Sequence, residues 1–312
     1  MQIIQLSVVI PTMNRPKSLK DTIISFLSGS KVPDEIVIVD QSLSDDTEKM
    51  LHILKQDFQE INFLYLKLEK PSLTKARNMG LDICTNDIII FSDDDIEIYE
   101  DTINNVYMLM KQDNVAIVGA LDDNSNYKSS ILGYFAGINS FQKRHIGYVS
   151  KSCFGKYPTS FNECTKTEWC MGYFFSIKKS LSDKWKIKWD ENLVSYAYAE
   201  DLDFTYSYCR MSKKNGLDCL LTKMVHVKHN VSKEYRIPNR KQTFMLVLHR
   251  YYLIQKLHMG IISFIQASYA NIAIFFERCI KKEKPYDVIE AIYTYLKNKK
   301  NIDNGNIEPF LS

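Results

Sequence analysis

Residues 88–95 read IIIFSDDD, an apolar run that is followed at once by three aspartates. A run of branched and aromatic residues without polar alternation is typical of a strand buried on both faces of a parallel sheet. Side chains that follow such a strand lie at the carboxyl edge of the sheet, where open α/β folds bind their ligands. The stretch therefore predicts an α/β fold with an acidic site at one sheet edge.

The residues on either side repeat an alternation of strand and helix. The predicted strands are 6–10, stopped by Pro11, then 36–39, 61–66 and 88–91, and the predicted helices are 17–28, 45–56, 73–83, 244–257, 259–280 and 285–297. Strands and helices that alternate at this spacing predict βαβ units and a doubly wound, mainly parallel sheet. Residues 113–165 are less regular, and we expect them to supply strands and loops on the acceptor side of a site.

Three strand ends carry polar residues, at 11–15 (PTMNR), 40–42 (DQS) and 93–95 (DDD). One acid at a strand end is common, whereas three polar ends in one half of a sheet indicate a shared pocket.

The three adjacent carboxylates repel one another unless a cation neutralises them. Asp93 and Asp95 leave the strand as alternate residues and can point to one side while Asp94 turns away. Hard oxygen ligands that leave coordination positions open suit Mg²⁺ or Mn²⁺ shared with a diphosphate. The alternative is a solvated acidic loop or a helix cap, because aspartate also favours caps.

A second acidic pair, Glu200 and Asp201, precedes a helical pattern in which Phe204, Tyr208 and Met211 share an apolar face. A helix that begins near Asp201 places both carboxylates at its N-terminus, where the helix dipole favours the ionised form. An ionised carboxylate is a candidate general base for a hydroxyl group, and simple helix capping is the alternative.

The stretch HVKHNVS contains His226, His229 and Ser232. One of the two histidines is a candidate additional metal ligand. The alternative is a basic loop without a ligand role.

Composition limits the class of protein. The chain has 312 residues, of which 45% are hydrophobic and 25% charged, as in soluble globular proteins, and its net charge of +3 predicts no nucleic-acid partner. Charge is uneven, with 10 basic and 17 acidic side chains in 1–100 but 11 basic and 2 acidic in 205–258. Seven cysteines without a CxxC pair and an N-terminus unlike a signal peptide lead us to expect a cytoplasmic protein. The signatures of dinucleotide oxidoreductases, P-loop kinases, zincins and α/β-hydrolases are absent from the sequence.

Taken in order, these motifs resemble those of the family-2 glycosyltransferases, which have the GT-A fold. The matching stretches span residues 6–257 and are SVVIPTMNRP, VIVDQSLSDDT, LTKARNMGLDICTNDIIIFSDDDI, EWCMGYFFSIKKSL, WDENLVSYAYAEDLDF, VKHNVS and HRYYLIQK. The sequence departs from the family pattern at Met13, at Gln41 and in having three acids at 93–95. The third acid leaves open whether Asp93 and Asp95 or Asp94 and Asp95 bind the metal.

The resemblance implies a role for each matching residue. The nucleotide-sugar pocket is expected to contain Pro11, Thr12, Asn14, Arg15, Asp40, Arg77, Asp93 and Asp94, with Asp40 accepting from the base. Asp93, Asp95 and, of the two histidines, His229 are the expected ligands of Mn²⁺ or Mg²⁺. Trp169 and Gly172 are expected on the acceptor side, with Asp201 as base and Glu200 beside it orienting a sugar.

The implied reaction is transfer of one sugar, with inversion, from a nucleoside-diphosphate sugar to a glycan or lipid-linked acceptor in polysaccharide biosynthesis. A UDP- or dTDP-sugar is the expected donor. The alternative is a catalytically silent subunit that keeps the fold to bind a nucleotide sugar or a glycan. A third possibility, a nucleotidyltransferase, usually has a glycine-rich first loop, and TMNRPKS contains no glycine.

We expect a GT-A domain over 1–240 and a C-terminal helical extension over 241–312. The basic balance of 205–258 and the apolar segment 261–276 suggest peripheral contact with the inner face of the plasma membrane. A helical bundle or a dimer contact is the alternative for this extension.

Overall fold

The computed structural model describes residues 2–128, 130–143, 145–194, 198–230 and 239–311. The strands are β1 (Gln2–Thr12), β2 (Lys31–Asp40), β3 (Asn62–Lys67), β4 (Ile88–Ser92), β5 (Ile96–Ile98), β6 (Val115–Asp122), β7 (Tyr148–Val149), β8 (Gly155–Lys156), β9 (Cys164–Lys166), β10 (Phe174–Lys178) and β11 (Asp218–His229). The helices are α1 (Pro16–Leu27), α2 (Asp46–Asp57), α3 (Leu73–Ile83), α4 (Thr102–Met110), α5 (Ile131–Phe135), α6 (Lys179–Trp185), α7 (Glu200–Lys214), α8 (Asn239–Lys256), α9 (Ile261–Lys281) and α10 (Tyr286–Asp303).

One large mixed sheet organises the molecule, with the strand order β3-β2-β1-β4-β10-β6-β11-β5 and with β9 paired to β11. Strands β1 to β4 are parallel, as predicted, because each is joined to the next by a helix. Strand β10 runs antiparallel to both β4 and β6, and β11 runs parallel to β6. The sequence analysis did not identify β10 and β11, so the mixed half of the sheet is a finding of the structure.

Alternate residues of the central strands fill two different cores. In β4, Ile88 and Ile90 pack into the core on one side of the sheet, whereas Ile89 and Phe91 pack into the core on the other side. This two-sided burial explains why the strand is apolar throughout instead of alternating.

Strand β1 is longer than expected, because it continues through Pro11 to Thr12. Pro11 lies opposite Val39 of β2 in the parallel register. Proline lacks only the amide hydrogen, so it can occupy a strand position where that hydrogen is not needed. The extension brings Thr12 beside Asp40 at the carboxyl edge of the sheet.

Helix α3 packs closely on the first strand. Its N-terminus is capped by Ser72, whose hydroxyl accepts a hydrogen bond from the backbone N–H of Lys75. A Cβ atom at Gly80 would lie 2.3 Å from Cγ1 of Val9, so only glycine permits this approach of helix to strand. This close packing of α3 on β1 fixes the position of Arg77, which is a residue of the helix.

The C-terminal helices share a core with the sheet. Buried residues of α8, including Val247 and Leu248, belong to the same hydrophobic cluster as Val9 and Phe91. Tyr251 of α8 stacks on Tyr295 of α10 with ring centroids 4.3 Å apart. The predicted boundary at 240 and 241 falls in the first turn of α8 and stays a prediction. None of the helices in the described part of the chain has an apolar stretch of the length needed to cross a membrane.

Candidate active site

The predicted polar strand ends meet at one edge of the sheet. Strands β1 and β4 are neighbours, and β2 lies on the other side of β1, so residues that follow them converge. The acidic triplet 93–95 connects β4 to β5, and the backbone N–H of Asp93 donates to the carbonyl of Tyr173 over 2.9 Å.

Asp94 differs from Asp93 and Asp95 in its main partners, although Arg15 also lies 3.6 Å from Asp95. Asp94 accepts from the hydroxyl of Thr12 over 2.6 Å and from the guanidinium of Arg15 over 3.1 Å. Burial raises the pKa of Asp94 to about 6, although the Thr12 hydrogen bond and the Arg15 charge lower it. Asp94 therefore connects the end of β4 to the end of β1 and the loop that follows it. These are the segments predicted to bind the nucleotide.

Asp93 and Asp95 instead cluster with His229, and their candidate ligand atoms all lie within 4.8 Å of one another. The Nε2 atom of His229 is 3.1 Å from Oδ1 of Asp95. Of the two pairs that the sequence left open, the structure brings together Asp93 and Asp95. Two carboxylates and an imidazole form a donor set that suits a divalent cation, which would offset the repulsion between the acids.

The end of β11 delivers His229 to this cluster, because β11 pairs antiparallel with β5 and places His229 opposite Ile96. Its backbone N–H donates to Asp122 over 3.1 Å. Burial lowers the pKa of His229, but the hydrogen bond to Asp95 and the charges of Asp93 and Asp95 outweigh it, so the net shift is upward.

The other histidine has different neighbours. The Nδ1 atom of His226 is 3.0 Å from Asp123, and its ring stacks on Tyr99 with centroids 4.2 Å apart. The structure thus places His229, and not His226, in the acidic cluster. Ser232, the other residue of the HVKHNVS motif, lies outside the described residues.

Arg77 lies between the metal candidates and the second acidic pair. Its guanidinium donates to Asp93 over 3.0 Å, to Glu200 over 2.7 Å and to the carbonyl of Gly172 over 3.0 Å. The residue is only 1% exposed. In the structure Arg77 links three segments of the protein, and its expected place in the nucleotide pocket stays a prediction.

Glu200 and Asp201 form the first turn of α7, as predicted. The preceding residue, Ala199, has a φ of 66°, a left-handed conformation that is uncommon for a residue with a Cβ atom. Burial raises the pKa of Glu200 to about 8, although the Arg77 charge lowers it. Glu200 is therefore held inside the protein by its ion pair.

Backbone donors hold the carboxylate of Asp201. Its Oδ2 atom accepts from the N–H of Gly172 over 2.9 Å, and its Oδ1 atom accepts from the N–H of Leu202 over 2.8 Å. Burial raises the pKa of Asp201, and the hydrogen bond from Gly172 and the charge of Arg77 reduce this rise. A carboxylate whose pKa is raised is a stronger base than an ordinary carboxylate, which suits the role predicted for Asp201.

Gly172 allows these groups to approach. A Cβ atom there would lie 3.0 Å from Cβ of Asp201 and 3.2 Å from a guanidinium nitrogen of Arg77. The segment expected to face the acceptor therefore depends on a glycine at this position.

The expected role of Trp169 in shaping the acceptor side stays a prediction, and the structure shows how its side chain is held. It is 5% exposed, and its indole N–H donates to the carbonyl of Lys156 over 3.1 Å. A Cβ atom at Gly155 would come within 2.4 Å of its ring. Trp169 thus packs against β8 of the β7–β8 hairpin and donates a hydrogen bond to it.

Asp40 lies at the far end of the predicted pocket and is completely buried. Its carboxylate accepts from the Tyr65 hydroxyl over 2.9 Å, from Lys67 over 3.2 Å and from the N–H of Ser42 over 2.9 Å. Sequence reasoning missed Tyr65 and Lys67, although the parallel register of β2 and β3 places Lys67 directly opposite Asp40.

The loop after β1 completes this end of the site. Asn14 has a φ of 57°, and its backbone N–H donates to the Ser42 hydroxyl over 2.7 Å. Asparagine tolerates the left-handed region better than most residues. The predicted contacts of Pro11, Thr12, Asn14 and Arg15 with a nucleotide stay predictions.

Asp122 and Tyr173 are further neighbours of the acidic cluster that the sequence did not single out. Asp122 accepts from the backbone of His229, and the Tyr173 ring lies 5.5 Å from the His229 ring. Asp122 ends the buried strand β6, as Asp40 ends β2, so the same strand-end pattern could have identified it.

Curated glycosyltransferases are similar to this chain in sequence. Over 182 residues the chain is 28% identical to the GalNAc(5)-diNAcBac-PP-undecaprenol beta-1,3-glucosyltransferase of Campylobacter jejuni, a match that covers 57% of the chain and 52% of that protein. It is 28% identical over 116 residues to the poly(ribitol-phosphate) beta-N-acetylglucosaminyltransferase TarP of Staphylococcus aureus, which covers 36% of the chain and 35% of that protein. The chain thus spans about half the length of the first of these relatives, and less of the second.

Solved structures share the fold at low sequence identity. The mannosyltransferase PcManGT of Pyrobaculum calidifontis, in complex with GDP-Man and Mn²⁺, superposes with a TM-score of 0.56 at 14% identity and covers 98% of this chain and 84% of its own. Residues 1–349 of S. aureus TarS, in complex with UDP-GlcNAc, superpose with a TM-score of 0.51 at 13% identity and cover 95% and 92% of the two chains. These similarities show the GT-A fold.

The family assignment rests on the first half of the chain. Residues 7–160 match the model of glycosyl transferase family 2, and this range contains the predicted nucleotide pocket and the acidic triplet. The motif order, the relatives and the fold agree with that match. The chain therefore carries a glycosyl transferase family 2 domain.

Proposed function

We propose that this protein is a metal-dependent inverting glycosyltransferase. It moves one sugar from a nucleoside-diphosphate sugar to a hydroxyl of a glycan or a lipid-linked acceptor in bacterial cell-envelope polysaccharide biosynthesis. The observation that carries the proposal is the Asp93, Asp95 and His229 cluster, which Arg77 connects to the segment that holds Asp201.

Asp93, Asp95 and His229 are the residues that would hold Mn²⁺ or Mg²⁺. When bound there, the ion stabilises the negative charge that develops on the departing diphosphate. Two structural neighbours, PcManGT and GalNAc-T7, are complexes with Mn²⁺, which supports a divalent ion in this fold.

Asp201 takes the role of general base. An acceptor hydroxyl oxygen forms a bond to the anomeric carbon while its proton passes to Asp201, and the bond from that carbon to the diphosphate oxygen breaks. The electron pair leaves with the nucleoside diphosphate, and the single displacement inverts the anomeric carbon. The N–H groups of Gly172 and Leu202 orient the carboxylate, and Glu200 stays paired with Arg77.

The chemistry of the relatives supports the substrate classes. The C. jejuni relative is named for a lipid-linked acceptor and TarP for a poly(ribitol-phosphate) acceptor. Structural neighbours bind UDP-GlcNAc or GDP-Man, so both uridine and guanosine donors occur in this fold. We propose a UDP- or dTDP-sugar donor and a cytoplasmic location at the inner face of the plasma membrane.

A panel of UDP-, dTDP- and GDP-sugars tests the proposal. Thermal stabilisation and hydrolysis are measured with Mn²⁺, with Mg²⁺ and with a chelator. We expect one of these donors to raise the melting temperature of the protein and to be hydrolysed by it. Both effects should require a divalent ion. Metal-dependent binding without hydrolysis or transfer would favour the silent-subunit alternative, and no binding by any donor would contradict both.

Asp201→Asn tests the base directly. The variant keeps the size of the side chain but not its basicity, so we expect a fall in transfer rate of about 10²- to 10⁴-fold with unchanged donor binding. Asp82→Asn is the matched control, because Asp82 pairs with Lys188 at the surface. Equal transfer rates for Asp201→Asn and the wild type would remove Asp201 from the mechanism.

A further inference from the structure

The outer face of α9 carries a continuous apolar stripe. The α9 stripe consists of Ile261, Ile265, Tyr269, Ile272, Phe276 and Ile280, which are 46% to 83% exposed. Their spacing of three and four residues places them on one side of the helix. The opposite side, with Ala267, Ala270 and Asn271, is buried against the rest of the protein.

Charge is missing from this helix over most of its length. Residues 261–276 contain no acidic, basic or histidine side chain, although one face of the helix is open to solvent. A water-facing helix surface normally carries charged residues, and large exposed apolar patches mark interaction sites. Burial within the protein therefore explains only the inner face of α9.

Helix α5 extends the apolar area. Its residues Ile131, Leu132 and Phe135 are 73% to 77% exposed. A Cβ atom at Gly137, just after α5, would lie 3.8 Å from Cδ1 of Tyr269 in the α9 stripe. The end of α5 thus lies against the stripe, and we call the two together the α5–α9 surface.

Basic side chains border this surface. The exposed Lys281, Lys282 and Lys284 follow the last residue of the α9 stripe in the chain, with Glu283 among them and with Lys281 paired to Glu277. Lysines at the edge of an apolar helix face can reach lipid phosphates while the apolar side chains enter the headgroup region. Tyrosine, here Tyr269, is a residue type that is enriched at membrane–water interfaces.

The α5–α9 surface is also connected to the candidate site. Helix α5 begins at Ile131, nine positions after Asp122, whose carboxylate accepts from the backbone N–H of His229. A membrane-bound surface on this segment keeps the site close to a bilayer in which a lipid-linked acceptor lies.

We propose that the α5–α9 surface docks the protein on the surface of a bilayer that contains anionic lipids. The proposal deepens the proposed function, since it rests on a lipid-linked acceptor for its purpose. Membrane binding is nevertheless measured without catalysis, so the two proposals fail independently of each other.

Flotation of the full-length protein with vesicles tests the docking surface. One set of vesicles contains phosphatidylcholine alone, and the other contains phosphatidylcholine mixed with phosphatidylglycerol. The variant Ile265→Asp/Ile272→Asp places two charges in the stripe. The matched control is Ile53→Asp/Met108→Asp, because those two residues are each 57% exposed on α2 and α4.

We expect the wild type and the control to float with the phosphatidylglycerol vesicles. The stripe variant should bind about tenfold more weakly or worse, because charged side chains do not enter the apolar part of the interface. Lys282→Gln/Lys284→Gln should weaken binding on the order of tenfold with phosphatidylglycerol and much less with phosphatidylcholine alone. Thermal melting of each variant shows that the fold is intact.

Two results would overturn the proposal. One is absence of flotation by the wild type, or equal flotation by the wild type and the stripe variant. The other is a wild-type dimer in light scattering that the stripe variant dissociates without any vesicle binding, which would assign the surface to a second copy of the chain.

Discussion

At the scale of single residues, Arg77 stands out because one planar side chain joins a metal candidate, a buried acid and a backbone carbonyl. Arginine presents several donors in a fixed fork, whereas lysine offers one compact charge. The guanidinium supplies a counter-charge to Glu200, which is buried, and to Asp93, which is partly exposed. Arg77 is therefore a positioning residue, since it acts on the reaction through the groups that it holds.

We expect Arg77→Lys to destabilise the protein by about 3 kcal/mol, because a single ammonium group leaves a buried partner unmatched. The concentration of Mn²⁺ needed for half-maximal activity should also rise, because Asp93 loses its fixed position. Urea unfolding and metal titrations of the transfer rate measure the two effects. Arg240→Lys, in the exposed pair with Glu290, should change stability by less than about 1 kcal/mol. An unchanged metal requirement would reduce Arg77 to a purely structural role.

His249 is a buried histidine away from the acidic cluster. Its Nδ1–H donates to the carbonyl of Tyr198 over 2.9 Å. Burial lowers the pKa of His249 to about 4, although the Tyr198 hydrogen bond raises it. The folded protein therefore keeps the ring neutral at pH values where the unfolded chain, with an ordinary histidine pKa of about 6.5, binds a proton.

Between about pH 6.5 and pH 4 the unfolded chain binds more protons at His249 than the folded protein does. The free energy of unfolding therefore falls as the pH falls through this window. The slope is about 1.4 kcal/mol per pH unit. His249→Phe should be less stable than the wild type at pH 7, with a gap that narrows towards pH 5 in urea unfolding. A stability gap between His249→Phe and the wild type that stays constant from pH 7 to pH 5 would contradict the assignment.

At the scale of elements, the base depends on how the N-terminus of α7 meets the segment around Gly172. Glu200 and Asp201 come from the helix, and the N–H that orients Asp201 comes from Gly172. The helix dipole favours the ionised carboxylate, while burial opposes it. Close contact between the two elements therefore sets both the direction and the basicity of the Asp201 carboxylate.

Gly172→Ala tests this contact, because the new Cβ atom would lie 3.0 Å from Cβ of Asp201. We expect kcat to fall by about tenfold or more while the KM for the donor changes little, since a displaced base affects the reaction step. Gly216→Ala is the control, because its Cβ would meet no atom within 4 Å and its φ of 73° costs only stability, about 1 kcal/mol. Initial-rate kinetics of both variants measure kcat and the KM for the donor. A change in the donor KM without a fall in kcat would contradict a role of Gly172 in positioning Asp201.

At the scale of the whole molecule, an ionic contact between the partly exposed Lys256 and two largely buried aspartates ties the C-terminal helices to the part of the protein that holds the candidate site. Lys256 of α8 lies 2.6 Å from Asp203 of α7 and 2.8 Å from Asp190. Burial raises the pKa of Asp203 to about 6, and the Lys256 charge limits this rise. The contact anchors α8, which packs against α9, to α7, the helix that carries the proposed base.

We expect Lys256→Met to destabilise the protein by about 2 to 3 kcal/mol at pH 7, because it leaves the Asp203 carboxylate buried without a counter-charge. Adding Asp203→Asn should restore part of that loss, which urea unfolding of the single and double variants measures. Lys281→Met, in the exposed pair with Glu277, should cost less than about 1 kcal/mol. Equal losses for Lys256→Met and Lys281→Met would show that the anchor contributes nothing.

The sequence determined the parts of this protein that follow from local patterns. Apolar runs predicted β1 to β4 in a parallel arrangement, and the acids at 93–95 and at 200–201 were placed at a strand end and a helix N-terminus. These features depend on neighbours within a few positions, so periodicity and capping residues reveal them. The order of the motifs also indicated the family, and the match of residues 7–160 to glycosyl transferase family 2 supports it.

Only the tertiary structure decided which partner each polar group meets. Asp94 turns to Thr12, Arg77 reaches Glu200 across 123 positions of the chain, and His229 rather than His226 joins the acids. It also left one face of α9 exposed, which the apolar run 261–276 could not distinguish from burial. The physical reason is that these contacts join residues far apart in the chain. The pairing of β1 with β4 brings Thr12 to Asp94, the pairing of β11 with β5 brings His229 to the acids, and no local pattern encodes such pairing.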